Sequence, residues 1–314
     1  MENGSELNIV FGTGPLGYAV AEKLLNKGKT VKMVNRRGKA DLPAGAKLIK
    51  ADAEDRKRTR EICKDAKVVY HCAMPPYTQW KELFPALTTG IMEGAASVNA
   101  KLIYADNLYM YGYTDFPINE NTPNNPLGIK GTVRAEMSNN LLAAHKDGKV
   151  NIAIGRASDF YGPRVIASIL GERVFKPALG GKTISMLGNL DVPHSFIYIK
   201  DFAKGLVTLG QEPNSSGEVW HIPAAEALTT RELLHLIFNE TKKTPKAQTA
   251  PAFLTKILAV FNPVIKELLE VMPTYNNPYI VDHSKFQNVF GSETTPHKEA
   301  ISKTVEWFKK NYPA

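Results

Sequence analysis

The segment that most constrains this chain is its first. An apolar run, Leu-Asn-Ile-Val-Phe at 7–11, ends directly in Gly12-Thr13-Gly14-Pro15-Leu16-Gly17. A stretch of helical composition follows, with Ala19, Ala21, Leu24 and Leu25. Strand, G-x-G-x-x-G turn and helix in that order open a βαβ unit. Glycines there permit a tight turn and let backbone N–H groups approach a pyrophosphate at the helix N-terminus. Gly12, Thr13, Gly14, Pro15, Leu16 and Gly17 are therefore candidate dinucleotide-binding residues.

The alternation continues. Strand-like runs at 30–35, 46–50, 67–72, 101–105 and 150–154 are separated by helical stretches such as 80–98 and 133–144. This pattern predicts an α/β protein with a Rossmann-type, doubly wound parallel sheet. The second half differs. Pro and Gly are frequent from 161 to 193, strand-like 195–199 leads into a helix at 201–209, and 218–222 precedes a helix that Thr229 or Thr230 caps. Helical segments at 233–240, 253–260, 264–271 and 298–309 then dominate. The expected organisation is a dinucleotide-binding domain over 1–160, with its last sheet strands drawn from about 183–222, and an interleaved, mostly helical substrate lobe over 161–314.

Composition narrows the class. Two cysteines cannot build a disulfide framework or a four-sulfur zinc site, and the seven histidines include no i, i+4 pair, so no metal is expected. No run of 18 apolar residues is present, and the acidic N-terminus lacks the basic start of a signal peptide. A cytoplasmic protein without a membrane partner is expected. The net charge of +8 suits an anionic ligand, but no nucleic-acid motif accompanies it. A small-molecule substrate, and a monomer or homodimer, are the expected partners and state.

The end of the second strand bears on cofactor choice. An acid there accepts from a ribose 2′-OH and repels a 2′-phosphate. This chain has Asn35-Arg36-Arg37 instead, and two guanidinium groups suit a 2′-phosphate, so NADP is expected over NAD. Asp52, after the third strand, is placed either to accept from the adenine amino group or to complement a helix dipole.

Five further stretches carry a resemblance. They are Val68-Val69-Tyr70-His71-Cys72-Ala73, then Leu102-Ile103-Tyr104-Ala105-Asp106-Asn107 with Tyr111-Gly112, Arg134-Ala135-Glu136, Arg156-Ala157-Ser158-Asp159-Phe160-Tyr161-Gly162-Pro163, and Phe196-Ile197-Tyr198-Ile199-Lys200-Asp201-Phe202-Ala203. In this order they resemble the extended short-chain dehydrogenase/reductases of the NAD-dependent epimerase/dehydratase family. The resemblance implies cofactor contacts at Cys72, Ala73, Ala157 and Ser158, and substrate-pocket positions at Pro75, Pro76, Tyr77, Asp159, Tyr161 and Tyr275.

The departures concern catalysis. The family's Ser or Thr after the fifth strand is Asn107 here. Its Tyr-x-x-x-Lys, counted back from Glu136, falls on Gly128 and Thr132. The phenol that exchanges the proton and the ammonium that lowers its pKa are both missing. Asn107 as a neutral donor, Tyr109 as a phenol and Lys130 as a cation are the candidate replacements. A Tyr-x-x-x-Lys does occur at Tyr77 and Lys81, off the expected helix. Two functions are expected from this: an oxidoreductase or epimerase with an atypical site, acting on a carbonyl, alcohol or sugar-like compound, or a catalytically silent NADP-binding sensor.

Overall fold

Successive residues of the first strand, Ile9 and Val10, have no exposed surface, and neither do Val69 and Tyr70, Leu102 and Ile103, or Ile152 and Ala153. Consecutive side chains of a strand point to opposite faces, so such runs demand cover on both sides of the sheet. The computed structural model, which describes residues 6–250, 260–261, 266–267 and 269–312, shows that arrangement. Strands β1 (Leu7–Phe11), β2 (Thr30–Asn35), β3 (Lys47–Lys50), β4 (Ala66–His71), β5 (Lys101–Asp106) and β6 (Asn151–Arg156) alternate with helices α1 (Pro15–Asn26), α2 (Arg56–Cys63), α3 (Trp80–Ala96) and α4 (Ile129–Lys146). All pair in parallel. A seventh parallel strand, Val219–His221, joins the edge beside β6, giving the order β11-β6-β5-β4-β1-β2-β3 when the strands are numbered along the chain.

Two compact units result. The first comprises Met1–Asp106, Thr132–Arg156 and Phe202–Ile222, and holds the whole seven-stranded sheet. The second comprises Asn107–Gly131, Ala157–Asp201 and Pro223–Ala314. The expected division at 160 thus gives way to a finer interleaving. Of the strands expected from 183–222, only β11 enters the main sheet. β7 (Asp159–Tyr161), β8 (Ile184–Met186), β9 (Pro193–His194) and β10 (Phe196–Tyr198) build two-stranded pieces within the second unit instead. Runs of two or three residues carry too little periodicity for a sequence reading to assign them to a sheet.

The second unit has its own core. Helices α5 (Glu172–Leu179) and α7 (Thr230–Thr241) belong to it, whereas α6 (Ile199–Gln211) lies mostly in the first unit, from Phe202 on. Phe175, from α5, stacks on Phe308 of the C-terminal helix His297–Asn311, with ring centroids 4.9 Å apart. Val174, Leu233, Leu234 and Phe238 are buried in the same cluster. Thr229 is the N-cap of α7: it accepts from the Glu232 N–H, and the Glu232 carboxylate accepts from the Thr229 N–H, a closed capping box. The helical stretch expected at 253–260 lies outside the described residues except for its last, and that at 264–271 lies partly outside them. No described helix is long and apolar enough to cross a membrane.

Candidate functional site

The glycine loop shows which of its glycines the fold needs. Gly12 has φ +102°, and a Cβ there would sit 2.6 Å from the Cys72 carbonyl carbon and oxygen and 2.7 Å from the Ala73 nitrogen. A Cβ on Gly17 would sit 2.1 Å from the Gly12 oxygen. Both glycines let the loop lie against its neighbours. Gly14 is different. Its backbone is extended, with φ −73°, and a Cβ there would meet nothing within 4 Å. Nothing among the described residues requires glycine at that point. Gly14 is also the N-cap of α1, and no side chain caps that end, where Pro15 stands in the first turn. Open space over the uncapped N-terminus of a helix fits a pyrophosphate.

The end of β2 is tied to this loop. The Asn35 amide donates to Thr13 Oγ1 at 2.8 Å and to the Lys39 carbonyl at 3.2 Å, while its oxygen accepts from the Gly38 N–H at 2.7 Å. Asn35 therefore shapes the turn that carries Arg36 and Arg37. Both arginines are exposed and neither pairs with a described acid. Asp52, at the end of β3, is exposed, and its Oδ1 accepts from the Glu54 N–H at 3.1 Å. Burial pushes the Cys72 thiol up to about 12.

A charged cluster that sequence reasoning missed ends β5. The Asp106 carboxylate is fully buried and accepts from Arg134 Nη1 at 3.2 Å and from Arg156 Nε at 3.0 Å. Arg134 also donates to the Tyr104 hydroxyl at 2.8 Å and lies 4.6 Å and 4.5 Å from the ring centroids of Trp80 and Phe84. Arg156 donates to Ser138 Oγ at 2.6 Å. The two guanidinium groups share this carboxylate, and the Trp80 and Phe84 ring faces help to stabilise the Arg134 charge. Its signal in the sequence was the three residues themselves, quoted for the resemblance but spaced too far apart to pair on paper.

Asn107 follows directly, and its Oδ1 accepts from the Tyr109 N–H at 3.2 Å. The amide oxygen thus closes a local turn. Tyr109 is half-buried. Lys130 is not an open cation: its side chain is only 3% exposed, and Nζ pairs with Glu267. A Cβ on Gly128 would run into the Glu270 side chain, so this carboxylic acid lies where the family's tyrosine would begin. Thr132, at the lysine position, is exposed.

The expected pocket residues divide. In the first unit, Pro75 is buried, Pro76 is exposed, and Tyr77 is half-buried with its ring edge-on to Trp80 at 5.2 Å. Lys81 is exposed on α3, away from the start of α4 in the chain. In the second unit, Asp159 and Tyr275 come together through His194. Its Nε2 lies 3.1 Å from Asp159 Oδ2, and its ring stacks on Tyr275 at 5.6 Å. Tyr161 is spent on packing: it is 1% exposed and its hydroxyl lies 2.9 Å from His297 Nδ1. Ala157 and Ser158 are buried just beyond β6. Among the described residues no group of three or more His, Cys, Asp or Glu is placed to hold a metal ion.

A seven-stranded parallel sheet with a glycine loop opening its first helix defines a Rossmann-type protein. The chain belongs to the NAD dependent epimerase/dehydratase family, whose model matches residues 9–222. A Bacillus subtilis protein named as an uncharacterized UDP-glucose epimerase is 26% identical over 135 residues, 43% of each chain. The mouse decarboxylating sterol-4-alpha-carboxylate 3-dehydrogenase is 22% identical over 98% of this chain and 92% of its own. Among solved structures, the UDP-glucuronic acid 4-epimerase of Bacillus cereus, in complex with UDP-glucuronic acid and NAD, superposes with a TM-score of 0.79. It is 20% identical, and the match covers 98% of this chain and 100% of that one.

Proposed function

We propose that this protein is a nicotinamide-dependent oxidoreductase or epimerase that prefers NADP and acts on an alcohol or carbonyl of a sugar-like small molecule, a sugar nucleotide being the first class to try. The observation that carries the cofactor reading is Gly14, a glycine the fold does not need, over the uncapped N-terminus of α1. Gly12, Thr13, Pro15, Leu16 and Gly17 complete that cradle, with Cys72 and Ala73 packed behind it. Arg36 and Arg37 support the 2′-phosphate preference, and Asn35 holds their turn. The relatives' names support the substrate class. When bound, the nicotinamide supplies the hydride chemistry; the chain must position the substrate and move a proton. We assign Asn107 and Tyr109 to orienting the substrate oxygen, and Asp159 and Tyr275, joined through His194, to substrate contact in the second unit.

Calorimetric titration with NADPH and NADH tests the cofactor reading. Arg36→Ala with Arg37→Ala should weaken NADPH by about 1.5–3 kcal/mol for each charge-assisted hydrogen bond lost, and leave NADH unchanged. Equal affinity of the unaltered protein for the two cofactors refutes the preference.

The sensor reading has two observations in its favour: Lys130 is already engaged by Glu267, and the Glu270 side chain lies where a side chain at 128 would begin. It requires tight cofactor binding with no turnover across a panel of sugar nucleotides and simple carbonyls. Turnover of any of them excludes it.

A further inference from the structure

A third cation of the first unit lies against the turn that carries Arg36 and Arg37. Lys50 is the last residue of β3, the strand at the edge of the sheet, and it stands opposite Asn35, the last residue of β2. The Ala51 N–H donates to the Asn35 carbonyl at 3.0 Å, which fixes the chain just past it. The turn folds back over this lysine. Gly38 has φ +66°, and a Cβ there would fall 2.9 Å from Lys50 Cδ and 3.1 Å from its Cβ and Cγ. Gly38 thus rests on the apolar stem of Lys50. The residue as a whole is exposed, and no described acid pairs with it. A stem packed under a turn with its charged head in water is how a lysine covers apolar surface and keeps its charge available.

A short run of contacts joins Lys50 to the glycine loop. Thr13 accepts from Asn35, Asn35 accepts from Gly38, and Gly38 rests on Lys50. All four residues belong to the first unit, and they stand at or just past the carboxyl ends of β1, β2 and β3, the end of a doubly wound sheet at which ligands bind. We propose that Lys50 determines cofactor specificity together with Arg36 and Arg37, the three forming a site for a phosphate monoester, the 2′-phosphate of NADP. This rests on the NADP reading above. Such a phosphate carries about two negative charges at neutral pH. The guanidinium groups offer planar forks to its oxygens, and the ammonium adds a compact point charge with three donors. Edge strands also carry lysines because charge discourages pairing with another chain. Lys47 serves as the comparison for that role: it is exposed at the opposite end of β3, about 10 Å away along the strand.

Lys50→Met removes the ammonium and keeps an unbranched apolar stem under Gly38. The full chain is titrated in a calorimeter with NADPH, with NADH, and with 2′,5′-ADP, which carries the 2′-phosphate without the nicotinamide. Lys50→Met should weaken NADPH and 2′,5′-ADP about tenfold, the low end for one hydrogen bond to a charged group. NADH affinity and the melting temperature of the unliganded protein should not change. Lys50→Arg should recover most of the loss, and Lys47→Met should leave all three ligands unaffected. NADPH affinity that Lys50→Met leaves intact overturns the proposal, while the NADP preference still stands on the arginines. An equal loss of NADPH and NADH overturns it too, since the lysine then only supports the loop. The same loss in Lys47→Met overturns it by showing that net charge, not position, attracts the phosphate. Equal affinity of the unaltered protein for NADPH and NADH refutes the NADP reading and the proposal with it.

Discussion

Glycines that look alike in a motif separate once their surroundings are known. A Cβ on Gly12 or Gly17 would lie 2.6 Å or 2.1 Å from backbone atoms, whereas one on Gly14 would meet nothing within 4 Å. Gly14→Val should therefore fold with an unchanged melting temperature and lose dinucleotide binding in calorimetry, since the new side chain enters the pyrophosphate's space. Gly12→Val should unfold the loop or the protein, because it combines φ +102° with a backbone clash. Cofactor affinity preserved in a folded Gly14→Val variant would place the phosphates elsewhere. The motif was legible in the sequence because strand, turn and helix are local. The Asp106–Arg134–Arg156 cluster and the approach of Glu270 to Gly128 were not. Both depend on segments brought together only by the fold, and the second joins residues 142 positions apart, as 270 minus 128.

Elements followed the same rule. β1 and β2 have the bounds read from the sequence, and α1 follows the glycine turn as expected, because periodicity and a terminal glycine agree there. α4 begins at Ile129 rather than near 133, and in its first turn the Lys130 N–H donates to Glu270, a partner far along the chain. At α7 the local signal was sufficient: Thr229 and Glu232 form the whole cap. Thr229→Ala should cost about 1 kcal/mol, seen as a shift of the denaturant midpoint with an unchanged slope. An unshifted midpoint would mean that packing alone fixes this helix end. Longer range decides β5 as well. Lys101, at its start, donates to the Glu212 carbonyl and to Ser215 Oγ, both at 2.7 Å. Burial brings its pKa down to about 8.

For the molecule as a whole, acid is the informative stress. His71 is fully enclosed, and burial, with the nearby Arg134 charge adding to it, lowers its pKa from 6.5 to about 3. Its Nε2 lies 3.0 Å from Thr88 Oγ1, and the Thr88 hydroxyl donates to the Met137 sulfur. The neutral ring therefore carries its proton on Nε2. Because the folded pKa is the lower one, the unfolded chain binds the extra proton first. The contribution of His71 to stability is complete above about pH 6.5 and is lost as pH falls toward 3. Denaturant midpoints measured from pH 7.5 to pH 4 should fall less steeply for His71→Asn than for the unaltered protein. Parallel curves would mean that other groups govern the acid limb. The interleaving of the first unit has a consequence for synthesis. Its sheet is drawn from three separate stretches of chain, and its outermost strand, Val219–His221, is the last to be made. Until the ribosome has passed that point, β6 stands as an open edge in the nascent chain, and residues 157–201 of the second unit loop out between β6 and the stretch that completes the sheet.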